Sequence, residues 1–182
     1  TSSQAGSLPL SRGSKIVSAL QNRQEIMVWT DTALYSMQYL GAPLVWGAQL
    51  MSSNISIVSQ NAAGVAANVV YWMGVDKFYK YDGRVQTLRC DLLQQTFSDI
   101  NQTQADQIFC GTIERFSEIW WFYPSANSST VDKYVVYNYI EDIWYYGTMA
   151  RTAWIDSGII SYPLAAGYNN NTIYHEYGID DN

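Results

Sequence analysis

The sequence predicts an all-β chain built from antiparallel meanders, and three observations lead there. Aromatic residues make up 15% of the 182 positions, with fifteen Tyr and seven Trp. Charged residues reach only 14%, against a usual value of about 25%. Short apolar runs are separated by Asp, Asn and Gly turns, which is the grammar of hairpins. Disorder requires the opposite balance, with high charge and few aromatics. A chain this long hides about 70% of its extended surface when folded, enough for a core without staples.

The first unit runs through residues 15–41. Strands are expected at 15–20, Glu25–Thr30 and Ala33–Tyr39, with Asp31-Thr32 and the polar run Gln21–Gln24 as turns. A second unit covers 69–89, and a third, four-stranded one covers 107–149. Helix is minor: 59–67 and 91–100 each have room for two or three turns. Ser59 is placed to cap the first, and Leu92, Leu93 and Phe97 share a face of the second. Residues 125–130 and 169–171 read as hairpin tips.

Four segments repeat one pattern: an apolar strand, a polar turn, an aromatic pair, then Gly. They start at Met27, Val70, Val135 and Ala165 and close at Gly41, Gly83, Gly147 and Gly178. The aromatics that mark them are Trp29 and Tyr35, Trp72 and Tyr79, Trp144 and Tyr145, and Tyr174. A second echo pairs Gln21–Trp29 with Glu114–Phe122, each a polar turn leading into Glu-Ile and a strand. In Trp120-Trp121-Phe122-Tyr123, alternation sends Trp120 and Phe122 to one face and Trp121 and Tyr123 to the other. Aromatics on both faces point to packing between neighbouring sheets rather than to a ligand platform. Units of three or four strands near 40 residues each are the signature of β-propeller blades, complete or partial, although β-sandwich hairpins imitate them. Residues 1–14 are Ser- and Gly-rich and read as a flexible arm. Residues 15–182 form the propeller-like domain, expected to be a fragment of a longer chain.

Chemistry is sparse. His175 is the only histidine, and no Ser beside it has the context of a nucleophile. Cys90 and Cys110 are too few for a disulfide framework and read as reduced, half-buried thiols. Metal ligands at zinc spacing and glycine-rich phosphate loops are absent, so no metal or cofactor is expected. Asp76, Asp82 and Gly83 lack the order of a calcium loop and read as a tight turn. The carboxylates Glu114 with Glu118 and Glu141 with Asp142 flank turns, where solvent keeps such groups ordinary, and Asp180 and Asp181 lie at the end of the chain. The chain is therefore not expected to be an enzyme. A net charge of −6 argues against gripping nucleic acid through its phosphates. No run of eighteen apolar residues is present to span a membrane as a helix.

The stretch Arg23–Tyr35, then Tyr71-Trp72-Met73-Gly74 and Phe78-Tyr79-Lys80-Tyr81-Asp82-Gly83, resembles tailed-bacteriophage virion proteins. So does Lys133–Asn138 running into Asp142–Gly147. The group it is most similar to is the tail hub or nozzle proteins of short-tailed phages, also called packaged-DNA stabilisation or tail tubular proteins. The similarity spans residues 15–178, and its motifs are structural. The resemblance implies a subunit of a homo-oligomeric ring in the virion tail, in contact with portal and tail subunits. Such a ring retains the packaged genome and passes duplex DNA at ejection. It carries over no catalytic residue and no cofactor. An acidic or amide-lined surface suits that role, because it repels phosphate and lets DNA slide. The other function in view is a receptor- or glycan-binding virion module.

Overall fold

A computed structural model describes residues 6–42 and 45–178. Asp180, Asp181 and the first five residues of the expected arm lie outside the described residues. The described chain is mostly β, in four antiparallel sheets with one short α-helix and two 3-10 segments. The first sheet comprises β1 (Ile16–Asn22), β2 (Glu25–Thr30), β3 (Ala33–Tyr39) and β4 (Trp46–Ser53). The second holds β5 (Ala63–Ala66), β6 (Val69–Met73), β7 (Phe78–Tyr81) and β8 (Val85–Leu88). The third holds β9 (Phe109–Ile113), β10 (Glu118–Tyr123), β11 (Lys133–Asn138) and β12 (Ile143–Thr148). The fourth has three strands, β13 (Ala153–Ile155), β14 (Leu164–Ala166) and β15 (Thr172–Tyr174). Every sheet is a simple meander in which each strand pairs with the next.

The turns are chemically specified. Ala67 and Asn68 both take positive φ between β5 and β6, as a two-residue hairpin of the primed type requires. Gly83 (φ +110°) turns β7 into β8, and Asn170 (φ +61°) forms the tip between β14 and β15. Thr30 closes the β2–β3 turn by accepting from the Ala33 amide at 3.0 Å.

Two expectations are corrected here. Residues 59–67 are not helical: they lead into β5, where Val65 and Ala66 pair with Val70 and Val69. Ser59 does not cap a helix, because its hydroxyl donates to the Ile108 carbonyl. The β-branched run Val69-Val70 supplies a strand partner, and pairing overrides the mild helix preference of the alanines. In 91–100 the helix does form, as α1 (Leu93–Asp99). Leu92, Leu93 and Phe97 pack together against the main core.

The sheets stack face to face in chain order. One core joins Met27, Trp29 and Leu34 of the first sheet to Val70, Trp72 and Phe78 of the second and Ile119, Trp121 and Val135 of the third. A second core on the far face of the third sheet gathers Phe109, Trp120, Phe122 and Val136, with Trp154 of the fourth sheet against it. The outer face of the first sheet buries Val28, Ala33 and Tyr35 under Leu10. There the Tyr35 hydroxyl accepts from the Arg12 amide at 2.6 Å, and Ser14 donates twice to the Asp31 carboxylate. Residues 10–14 are thus laid along the first sheet.

Candidate functional site

The four sheets present their first strands to one another. β1 lies against β5, β5 against β9, and β9 against β13. Asn61, just ahead of β5, forms a parallel bridge with Phe109 and accepts from the Cys110 amide at 2.7 Å. The Ser18 hydroxyl donates to the Gln60 carbonyl at 2.6 Å, tying β1 to the same segment. Between these strands lies a cavity of about 340 Å³, lined from all four first strands, by Ala19, Ala63, Cys110 and Ala153 among others. Its described lining carries no charged side chain.

Close approach of these strands needs small residues. A Cβ on Gly64 would come within 2.7 Å of the Cys110 sulfur, and one on Gly111 within 2.7 Å of the Trp154 ring. Burial pushes the Cys110 thiol well above its ordinary range and the Cys90 thiol up to about 11. Both cysteines are free. Neither is placed to act as a thiolate at neutral pH.

Of the aromatic residues singled out in the sequence, Trp29, Trp72, Tyr79, Trp121 and Trp144 form the seams between sheets, whereas Tyr35 lies on the outer face of the first sheet. Trp29, Trp72 and Trp121 are fully buried, and each sits on the second strand of its sheet. Trp29 meets Trp72 edge-on at 5.5 Å, and Trp72 stacks on Tyr79 at 5.2 Å. Phe78 reaches across to Trp121 at 4.8 Å and Trp144 at 4.7 Å. Their indole N–H groups reach backbone outside their own sheets' strands. Trp72 donates to the Ser56 carbonyl at 3.2 Å, Trp121 to Ala62 at 3.0 Å and Trp144 to Arg89 at 2.8 Å. Trp29 is the exception, finding no acceptor among the described residues.

This geometry corrects the phase of the third repeat. The segments at Met27 and Val70 are the second and third strands of their sheets, whereas the segment at Val135 is the third and fourth. The structural counterpart of Trp29 and Trp72 is therefore Trp121, while Trp144 is half-buried on the outermost strand. Gly147 is no closing turn, lying inside β12 where a Cβ would overlap the Tyr134 ring. Tyr145 is half-buried and donates to the Glu118 carboxylate. Tyr174 is corrected as well: it is 56% exposed, because β15 is the edge of its sheet and no sheet lies beyond it among the described residues.

The remaining polar candidates are mostly structural. Glu118 accepts from the Trp120 indole at 2.9 Å as well as from Tyr145, so it is held on the sheet rather than left in solvent. Burial first, and the Glu118 bond second, push the Tyr145 hydroxyl well above its ordinary value. Asp142 (φ +56°) accepts from Tyr137 at 2.8 Å across its turn. His175 accepts from Arg151 at 3.0 Å and packs on Trp154 at 4.5 Å. Among the described residues, no three His, Cys, Asp or Glu side chains converge as a metal site, and no helix is long and apolar enough to cross a membrane. No protein-family model matches this chain, and no curated protein matches it.

Proposed function

We propose that this chain is a structural virion protein of a short-tailed phage, part of the tail nozzle or hub that extends the portal channel. In this reading the four sheets are blades of a β-propeller, the fourth of them incomplete. The carrying observation is the approach of consecutive first strands around one shared cavity, with Trp29, Trp72 and Trp121 at equivalent strands and fully buried. That is how blades meet about an axis. The resemblance of residues 15–178 to tail hub proteins supplies the role. Few cations, a net charge of −6 and abundant amides suit a wall past which duplex DNA slides without sticking.

The aromatic groups that would otherwise suggest a ligand platform are occupied in packing between sheets, which favours a scaffold over an enzyme. Retention of DNA gives the test. Particles assembled without this protein should fill with genome and then lose it, read as nuclease-sensitive DNA in purified heads. Particles that lack the protein yet keep a full, nuclease-resistant genome would contradict the reading.

A further inference from the structure

Three hairpin turns, one from the first sheet and two from the second, lie side by side at one end of those sheets. They are the turns β1–β2 at Arg23-Gln24, β5–β6 at Ala67-Asn68 and β7–β8 at Asp82-Gly83. With the end of β3 they enclose a cleft of about 990 Å³. That is the upper end of the size range for small-molecule sites. The Arg23 side chain donates to the Asn68 amide oxygen, fixing two of the turns to each other.

The polar groups in this cleft are positioned but incompletely used. Glu25 receives the Ser36 hydroxyl, the Gln38 amide at 3.4 Å and the Tyr81 hydroxyl at 3.4 Å, all on one carboxylate oxygen. Its other oxygen takes none of the described hydrogen bonds. Asn22 is 6% exposed in the wall, and its side-chain oxygen has no partner among the described residues. An unpaired buried acceptor is costly, which gives Asn22 a reason to accept from a ligand hydroxyl. Gln24 and Gln38 add donors and acceptors at the mouth. Tyr39 stands there 64% exposed, its ring held edge-on by Trp46 at 5.9 Å.

We propose that this cleft binds a neutral saccharide, with Asn22, Glu25 and Gln38 hydrogen-bonding ring hydroxyls and Tyr39 covering an apolar sugar face. Charge favours a neutral ligand, since the lining holds Arg23 as well as Glu25 and Asp82, and Lys80, outside the lining, lies 4.0 Å from Asp82. Hydroxyls donate and accept together, which suits a lining of amides and one half-used carboxylate. A peptide backbone would want an open strand edge, and the described lining consists of turns and the ends of the strands beside them. The inference stands apart from the nozzle reading, since it needs only the first two sheets.

The test is saturation-transfer NMR on the whole chain with the methyl glycosides of glucose, galactose, mannose, rhamnose and N-acetylglucosamine. At least one should receive saturation from the wild type and shift the Trp46 indole resonance. Transfer should fall about fivefold in Gln38→Ala and in Tyr39→Ala, as loss of one contact of hydrogen-bond strength does. It should be unchanged in Lys77→Ala, whose turn joins β6 to β7 at the opposite end of the sheet. No transfer to any of the five sugars overturns the proposal, as does transfer that survives both mouth variants. Stronger binding of N-acetyl-lysine methylamide at the same Trp46 resonance would assign the cleft to basic peptides instead, and overturns it too.

Discussion

The indole N–H of Trp121, on the second strand of the third sheet, donates to the carbonyl of Ala62 at the entrance to the second sheet, 3.0 Å away. Both residues are fully buried, so this bond spans a dry interface between sheets. Removing the ring leaves a cavity and takes one of the two hydrogen bonds from the Ala62 carbonyl, which keeps the one from the Met73 amide at 3.1 Å. Trp121→Ala is expected to cost about 3–5 kcal/mol and Trp121→Phe about 1–3, measured by urea denaturation. Trp29→Phe removes an N–H with no acceptor among the described residues and should cost less than Trp121→Phe.

Trp72→Ala and Trp29→Ala should also fall in the range of about 3–5 kcal/mol, being fully buried. Trp144→Ala should cost less, since that ring is half-buried on an outer strand. Unchanged stability in both Trp29→Ala and Trp72→Ala would remove the equivalence of the sheets.

Gly111 is where β9 and the Trp154 ring come closest. Gly111→Ala should destabilise by about 1–3 kcal/mol through overpacking. Trp154→Leu should relieve part of that cost when combined with it, and a double-mutant cycle measures the coupling. Strict additivity would place Trp154 away from the strand.

Alkali should unfold the protein early. Burial pushes Tyr71 up to about 12 from an ordinary value near 10, and it also raises Tyr79, Tyr81, Tyr123, Tyr134, Tyr137 and Tyr145. Above pH 10 the unfolded chain loses these protons while the folded chain keeps them. The unfolded state then binds fewer protons, so stability falls as pH rises. The contribution of Tyr71 is intact below pH 10 and lost through about pH 12. Absorbance near 295 nm at pH 11 should show far fewer tyrosinates before unfolding than after it; equal signals would contradict the burial.

The segment ahead of β1 is held by Asp31, whose carboxyl Ser14 keeps below the usual carboxylate range by hydrogen bonds from its side chain and backbone. Asp31→Ala should release this segment and speed tryptic cleavage after Arg12 in the folded protein. An unchanged cleavage rate would mean that the Arg12–Tyr35 contact alone holds it.

Much of the architecture is written locally. β2 and β3 begin and end where their alternation and the Thr30-Asp31-Thr32 turn place them. Trp120 and Trp121 fall into different cores, as period-two alternation requires. β4 is hidden in the sequence, since its residues are half-buried or exposed on both faces and carry no alternation. The repeat phase slips because Trp144-Tyr145 imitates the local spacing of the earlier units, whereas equivalence depends on strand order within each sheet. The cleft around Asn22 and Glu25 has no sequence signature, because turns from two different sheets assemble it.

The central claim is that these sheets are blades of a tail nozzle, and its location in the particle tests it most directly. Antibodies raised against this chain should decorate purified virions at the end of the tail tube distal to the neck, seen by electron microscopy. Label confined to fibres or spikes, or absent from both intact and disrupted particles, would contradict it.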